Sequence, residues 1–180
     1  MNRKIYDNFL IFIVIFIVGF SYLPASFSDD YPIGPGDKIK IQVFGEPDLS
    51  VETLVGDSGT VSYPFLGEIN VKGKTVLQIE DDITKRLRGN YLINPEVTVS
   101  ILAYRQFYVN GFVKRPGGYS FQPRMTVRKA ISLAGGFQER ANKDRVKVVH
   151  ANDQRAIAYP IKLDDIVKPG DIITVERSFF

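Results

Sequence analysis

Residues 31–44, YPIGPGDKIKIQVF, place a tight turn directly before a half-buried strand. Ile39, Ile41 and Val43 alternate with Lys38, Lys40 and Gln42, so one face of an extended segment is apolar and the other polar. The strand is entered through Gly34-Pro35-Gly36-Asp37, where proline fixes φ, glycine permits the reversal and Asp37 can bond to neighbouring backbone. Pro-Gly-Asp recurs at 169–171, ahead of Ile172-Ile173-Thr174-Val175, and Thr75-Val76 at one helix start recurs as Thr126-Val127 at another. Such turns are common before strands, so the echo alone does not establish a duplication.

Outward from this stretch, short strands are expected at 52–55, 60–64 and 68–71, punctuated by Gly56, Gly59 and Gly67. The period then changes. Val76, Ile79, Ile83 and Leu87 form one helical stripe, with a capping-box pattern at Thr75 and Gln78 and a helix expected over 75–91. Val97, Val99 and Ile101 alternate again up to Tyr104, so the first half is expected to be a sheet with one helix against it.

The second half repeats the theme. Strands are expected at 107–111, ending on Gly111, and at 119–121, around a turn containing Pro116 and Gly117. Thr126 should cap a short helix carrying Val127, Ala130, Ile131 and Ala134, which Gly135-Gly136 stops. A hairpin over 145–149 and 155–159 and a final strand at 172–175, entered through Gly170-Asp171, complete an α+β pattern. Each half is near the lower limit for independent folding, which predicts that the two pack together.

Arg3 and Lys4 precede an apolar run from Phe9 to Phe20, followed by the small residues Pro24, Ala25, Ser26 and Ser28. This is the pattern of a secretory signal peptide over 1–28, with cleavage before Asp29 or after Ala25 or Ser26. Extended to Leu23 the run is 15 residues, short of the roughly 20 that span a bilayer. The lack of cysteine excludes disulfides, thiolate metal sites and a cysteine-linked lipid. Charge is divided unevenly: residues 29–103 carry seven basic and twelve acidic groups, residues 104–180 fourteen and seven. Arg124, Arg128 and Lys129 stand out in the basic half as candidate contact or polymer-facing residues.

No catalytic constellation is visible. His150 is the sole histidine, without a partner at a recognisable motif spacing, and the acid pairs Asp81-Asp82 and Asp164-Asp165 read as solvated faces or turns. The glycines match neither the phosphate-binding loop nor the dinucleotide fingerprint. No catalytic residue, cofactor or metal site is expected, and a secretory signal argues against nucleic acid as a partner.

Taken together, 31–44, 56–67 (GDSGTVSYPFLG), 71–83, 93–101 (INPEVTVSI), 109–119 (VNGFVKRPGGY), 126–137 (TVRKAISLAGGF) and 167–175 resemble the outer-membrane polysaccharide export family. The resemblance implies a polysaccharide export domain over 29–104 and a soluble-ligand-binding β-grasp (SLBB) domain over 105–180. It implies that Gly36, Asp37, Gly56, Gly59, Gly67, Gly111, Pro116, Gly117, Gly135, Gly136, Gly170 and Asp171 are turn residues of the family motifs. It also implies a non-enzymatic periplasmic protein of a Gram-negative envelope, forming a homo-oligomeric ring. Its implied partners are a polysaccharide and an inner-membrane copolymerase or tyrosine kinase. Without a lipid-bearing cysteine or an added amphipathic helix, the chain looks like a short member that depends on a separate outer-membrane conduit. A soluble sugar- or ligand-binding module of the periplasm, without a pore role, is the alternative.

Overall fold

The alternation after Asp37 becomes a strand whose apolar side chains Ile39 and Ile41 are completely shielded from solvent. The computed structural model describes residues 31–178; residues 1–30, which include the expected signal peptide, and Phe179-Phe180 lie outside the described residues. In chain order the first half contains β1 (Lys38–Val43), β2 (Val51–Leu54), β3 (Thr60–Tyr63), β4 (Gly67–Asn70), α1 (Val76–Leu87) and β5 (Val97–Ala103). β1 is the centre of an antiparallel sheet ordered β2-β1-β5, with Ile39 opposite Thr53 and Ile41 opposite Val99.

The single sheet expected here is in fact two. β3 and β4 form a ribbon of their own and join the sheet by packing, because Val61, Tyr63 and Ile69 enter the same core as Ile39 and Ile41. α1 opens with the expected capping box: the Thr75 hydroxyl accepts from the Gln78 amide, and the Gln78 side chain accepts from the Thr75 amide. Ile79, Ile83 and Leu87 are fully buried. The helix stops at Leu87, short of the expected 91, because Arg88 turns to extended backbone and Gly89 has φ +83°. Glu80 leaves the acidic run and accepts from the Val99 amide at 2.8 Å, which satisfies a donor on the outer edge of β5.

The second half contains β6 (Phe107–Gly111), β7 (Gly117–Tyr119), α2 (Val127–Leu133), β8 (Ala141–Val149), β9 (Tyr159–Pro160) and β10 (Ile172–Arg177). Their sheet is ordered β7-β6-β10-β8-β9. β10 runs parallel to β6, with Ile173 opposite Val109, and antiparallel to β8, with Ile173 opposite Val148. α2 contributes Val127, Ala130 and Ile131 to the core of this sheet. A helix packed on a mixed sheet with a parallel central pair fits the β-grasp expectation, and the whole is α+β.

Two expectations move. β7 covers 117–119, not 119–121, because Phe107 pairs with Tyr119 and Val109 with Gly117, so Gly117 is a strand residue instead of a turn residue. Its φ of 157° is close to ordinary extended backbone. The hairpin has a longer first arm, beginning at Ala141, and pairs only Lys147 with Pro160 and Val148 with Tyr159. The Asp153 carboxylate accepts from the Arg155 and Ile157 amides and the Tyr159 hydroxyl, holding a loop longer than the one expected between 149 and 155.

Candidate functional site

The two Pro-Gly-Asp turns have the same internal geometry. In each, the aspartate amide donates to the carbonyl three residues earlier, Gly34 or Lys168, at 3.1 Å. The aspartate carboxylate accepts the amide of that same residue, at 2.8 Å for Asp37 and 2.9 Å for Asp171. Gly36 and Gly170 have φ +88° and +84°. Both carboxylates are buried, yet each has its partners. Asp171 also faces His150, whose Nδ1 lies 3.1 Å from Oδ1 while the ring stacks on Tyr159. His150 therefore has an aspartate partner that linear spacing did not disclose.

Arg105 brings the two turns together. It follows β5 and precedes β6, and its amide donates to Asp37 Oδ1 at 2.7 Å. Its guanidinium donates from Nη1 to Asp37 Oδ2 at 3.0 Å and to the Tyr31 hydroxyl at 2.8 Å, and from Nε to the Pro169 carbonyl at 3.2 Å. Tyr31 in turn donates to Asp37 at 2.8 Å. Burial, reinforced by the Asp37 carboxylate, holds the Tyr31 phenol well above its ordinary pKa; Tyr104 is raised by the same causes in the same order. Tyr104 adds edge-on contacts with Tyr31 at 5.0 Å and Phe121 at 5.4 Å, so aromatic packing also crosses from one core to the other.

This crowding explains why glycine stands at 34 and 170. A Cβ on Gly34 would lie 2.5 Å from Arg105 Nη1, and one on Gly170 would lie 2.7 Å from the Ala151 Cβ and 3.0 Å from Arg105 Nε. The sequence pattern singled out both turns but not Arg105, which carries no periodic or motif signal. The available clue was a lone cation between two strands, 68 residues from one buried carboxylate.

The other motif residues are dispersed. Gly56 and Gly59 shape the entry to β3, Gly67 begins β4, and Pro116 precedes β7. Gly111 ends β6 under the Val175 carbonyl. Gly135 and Gly136 end α2, and the Ala134 and Gly136 carbonyls receive the Arg115 and Lys114 amides. Of the basic trio, Arg128 is paired with Asp164 at 2.9 Å, whereas Arg124 and Lys129 are exposed without an ion pair among the described residues. Arg128 and Lys129 border a shallow cleft of about 440 Å³ floored by Met125 and Leu133. The acid pairs are used locally: Asp81 pairs with Lys85, Asp82 with Lys74 and Arg86, and Asp165 accepts from the Lys162 amide.

A second cleft, of about 480 Å³, opens beside the junction. Its walls come from Pro32 to Pro35, Lys72 and Gly73 on one side, Arg105 between, and Ala151, Asn152 and Gln154 on the other.

The family model of the polysaccharide biosynthesis/export proteins matches residues 25–102, and that of the SLBB domain follows at 106–156. The chain belongs to the polysaccharide export family. Arg105 thus stands between the two matched segments of this family member. Among its relatives, the exopolysaccharide production protein ExoF of Rhizobium meliloti is 31% identical over 130 residues, covering 66% of this chain and 31% of the relative. The EPS I polysaccharide export outer membrane protein EpsA of Ralstonia solanacearum is 29% identical over 180 residues, covering 81% and 48%. The polysialic acid transport protein KpsD of Escherichia coli is 28% identical over 135 residues, covering 73% and 24%. The export-family chain spans between about a quarter and a half of the length of these relatives.

Proposed function

We propose that this chain is a non-enzymatic periplasmic subunit of a capsule or exopolysaccharide export complex. The observation that carries the reading is the succession of an export segment and an SLBB segment in one chain, joined through Arg105. Its relatives EpsA, a polysaccharide export protein, and KpsD, a polysialic acid transport protein, support the cargo class. In this reading residues 1–28 are a cleaved signal, the export domain covers 29–104 and the SLBB domain 105–180. The mature protein assembles as a homo-oligomeric ring and receives polysaccharide from an inner-membrane copolymerase or tyrosine kinase. In this reading a separate protein supplies the outer-membrane conduit; no described helix is long and apolar enough to cross a membrane.

The test is deletion of the gene and complementation, with surface polysaccharide as readout and the mass of the purified exported protein measured in parallel. Loss of surface polysaccharide restored by the intact gene is the expected result. Undiminished polysaccharide in the deletion strain overturns the proposal. The cleft beside Arg105 favours one second reading, a periplasmic sugar- or ligand-binding module without a pore role, and a strict monomer even beside the copolymerase would support it.

A further inference from the structure

The cleft at the junction has an unusual lining. Among the described residues it is bordered by two cationic side chains, Lys72 and Arg105, and by no carboxylate. Asp37, the nearest acid of the turn, is buried behind the guanidinium and already accepts four hydrogen bonds, and Asp153 is occupied within its own loop. Lys72 Nζ has no ion-pair partner among the described residues.

Arg105 is held rigidly but not exhausted. Its Nε and Nη1 donors are all engaged, by Pro169, Tyr31 and Asp37, whereas Nη2 has no acceptor in the protein. No buried side-chain nitrogen among the described residues lacks a partner, so Nη2 is open to solvent, and the opening that Arg105 lines is this cleft. A guanidinium fixed by three bonds with one nitrogen left over is a preorganised donor for a carboxylate. In the same lining, the Asn152 and Gln154 side-chain amides make no hydrogen bond among the described residues, and each offers both donors and an acceptor, as sugar hydroxyls require. Gly73 leaves its backbone uncovered, and Pro32 and Ala151 supply an apolar surface. The volume of about 480 Å³ falls within the range of small-molecule sites.

We propose that this cleft binds a carboxylate-bearing sugar unit, its carboxylate held by Arg105 Nη2 and Lys72 and its hydroxyls by Asn152 and Gln154. The assignment rests on the export reading and narrows its cargo to an acidic glycan. The experiment is calorimetric titration of the exported chain with sodium glucuronate, with the methyl ester of glucuronic acid and with acetate. Glucuronate saturates a single site and binds about tenfold more weakly to Lys72→Met, as loss of one charge-assisted contact requires. Asn152→Ala and Gln154→Ala also weaken it, and higher salt weakens it further. All three substitutions are at exposed positions, so an unchanged melting temperature shows that each variant is folded.

Equal binding of the ester removes the carboxylate from the proposal, equal binding of acetate removes the sugar, and indifference to Lys72→Met removes the site. If glucuronate does not bind while gene deletion abolishes export, the cleft assignment is overturned and the export reading stands. If glucuronate binds with the expected variant pattern while the deletion strain exports undiminished, the sugar site stands and the export reading falls.

Discussion

Replacing Arg105 by methionine keeps most of the side chain's apolar volume and deletes its charge. Asp37 is fully buried and the Arg105 side chain is 17% exposed, so the substitution strands a buried carboxylate. Breaking one partner from a buried ion pair costs about 3–5 kcal/mol. Here Asp37 keeps the Gly34 amide, the Tyr31 hydroxyl and the Arg105 main-chain amide, so the expected loss is nearer 2–3 kcal/mol. For a chain of this size 1 kcal/mol moves the midpoint by about 2–4 °C, giving a drop of about 4–12 °C. Differential scanning calorimetry reads it directly, and the lost connection between the cores should broaden or split the transition. Arg86→Met is the control, since its pair with Asp82 is partly exposed and Asp82 retains Lys74; it should cost less than about 1 kcal/mol. Adding Asp37→Asn to Arg105→Met removes the stranded charge, so the two losses should fall short of additivity by about 1 kcal/mol or more. An Arg105→Met protein that melts with the parent, or a strictly additive cycle, refutes the claim that this pair holds the junction.

Glycine substitutions should separate sharply by surroundings. Gly111→Ala places a Cβ against the Val175 carbonyl at φ +81° and should cost several times more in urea denaturation than Gly67→Ala, where φ is +69° but the space is open and about 1 kcal/mol is expected. Burial pushes Tyr63 up to about 12 from 10.0, and Tyr31 and Tyr104 are raised as well. These phenols ionise first in the unfolded chain, so their contribution is complete below pH 10 and declines as pH rises towards 12; Tyr63→Phe should flatten part of that decline in alkaline melts. Arg124→Glu with Lys129→Glu should lower export in a salt-sensitive way without moving the melting temperature, whereas Arg128→Glu should also cost some stability, because it sets a like charge beside Asp164. Normal export by the Arg124→Glu, Lys129→Glu protein at low and high salt would mark these charges as solvated surface only.

Local signals were legible and non-local ones were not. The period-two run at Ile39, Ile41 and Val43, the capping box at Thr75 and the Gly135-Gly136 stop each depend on neighbours within a few residues, and each forms as the pattern predicts. β7 was misplaced because its position is set by pairing with Phe107 and Val109, which overrides the turn preference of Gly117. The separation of β3 and β4 from the main sheet was hidden because alternation identifies a buried face without naming the hydrogen-bonding neighbour. The junction was half visible: Asp37 and Asp171 were found as turn residues, but their convergence on Arg105 is a property of the assembled fold. The same limit concealed the His150 to Asp171 contact.

The position of β10 has a consequence for how this protein is made. Residues 31–103 contain every strand of the first core, so that half can close while later residues are still emerging. The second sheet has no such freedom, because its middle strand is its last in sequence. Until residues 172–177 arrive, β6 and β8 each present an unpaired edge, and Phe107, Val109 and Val146 lack the surface that covers them. During that interval the nascent chain offers two adhesive strands to any similar chain nearby, so the rate at which residues 172–177 follow β8 governs how much of it escapes aggregation.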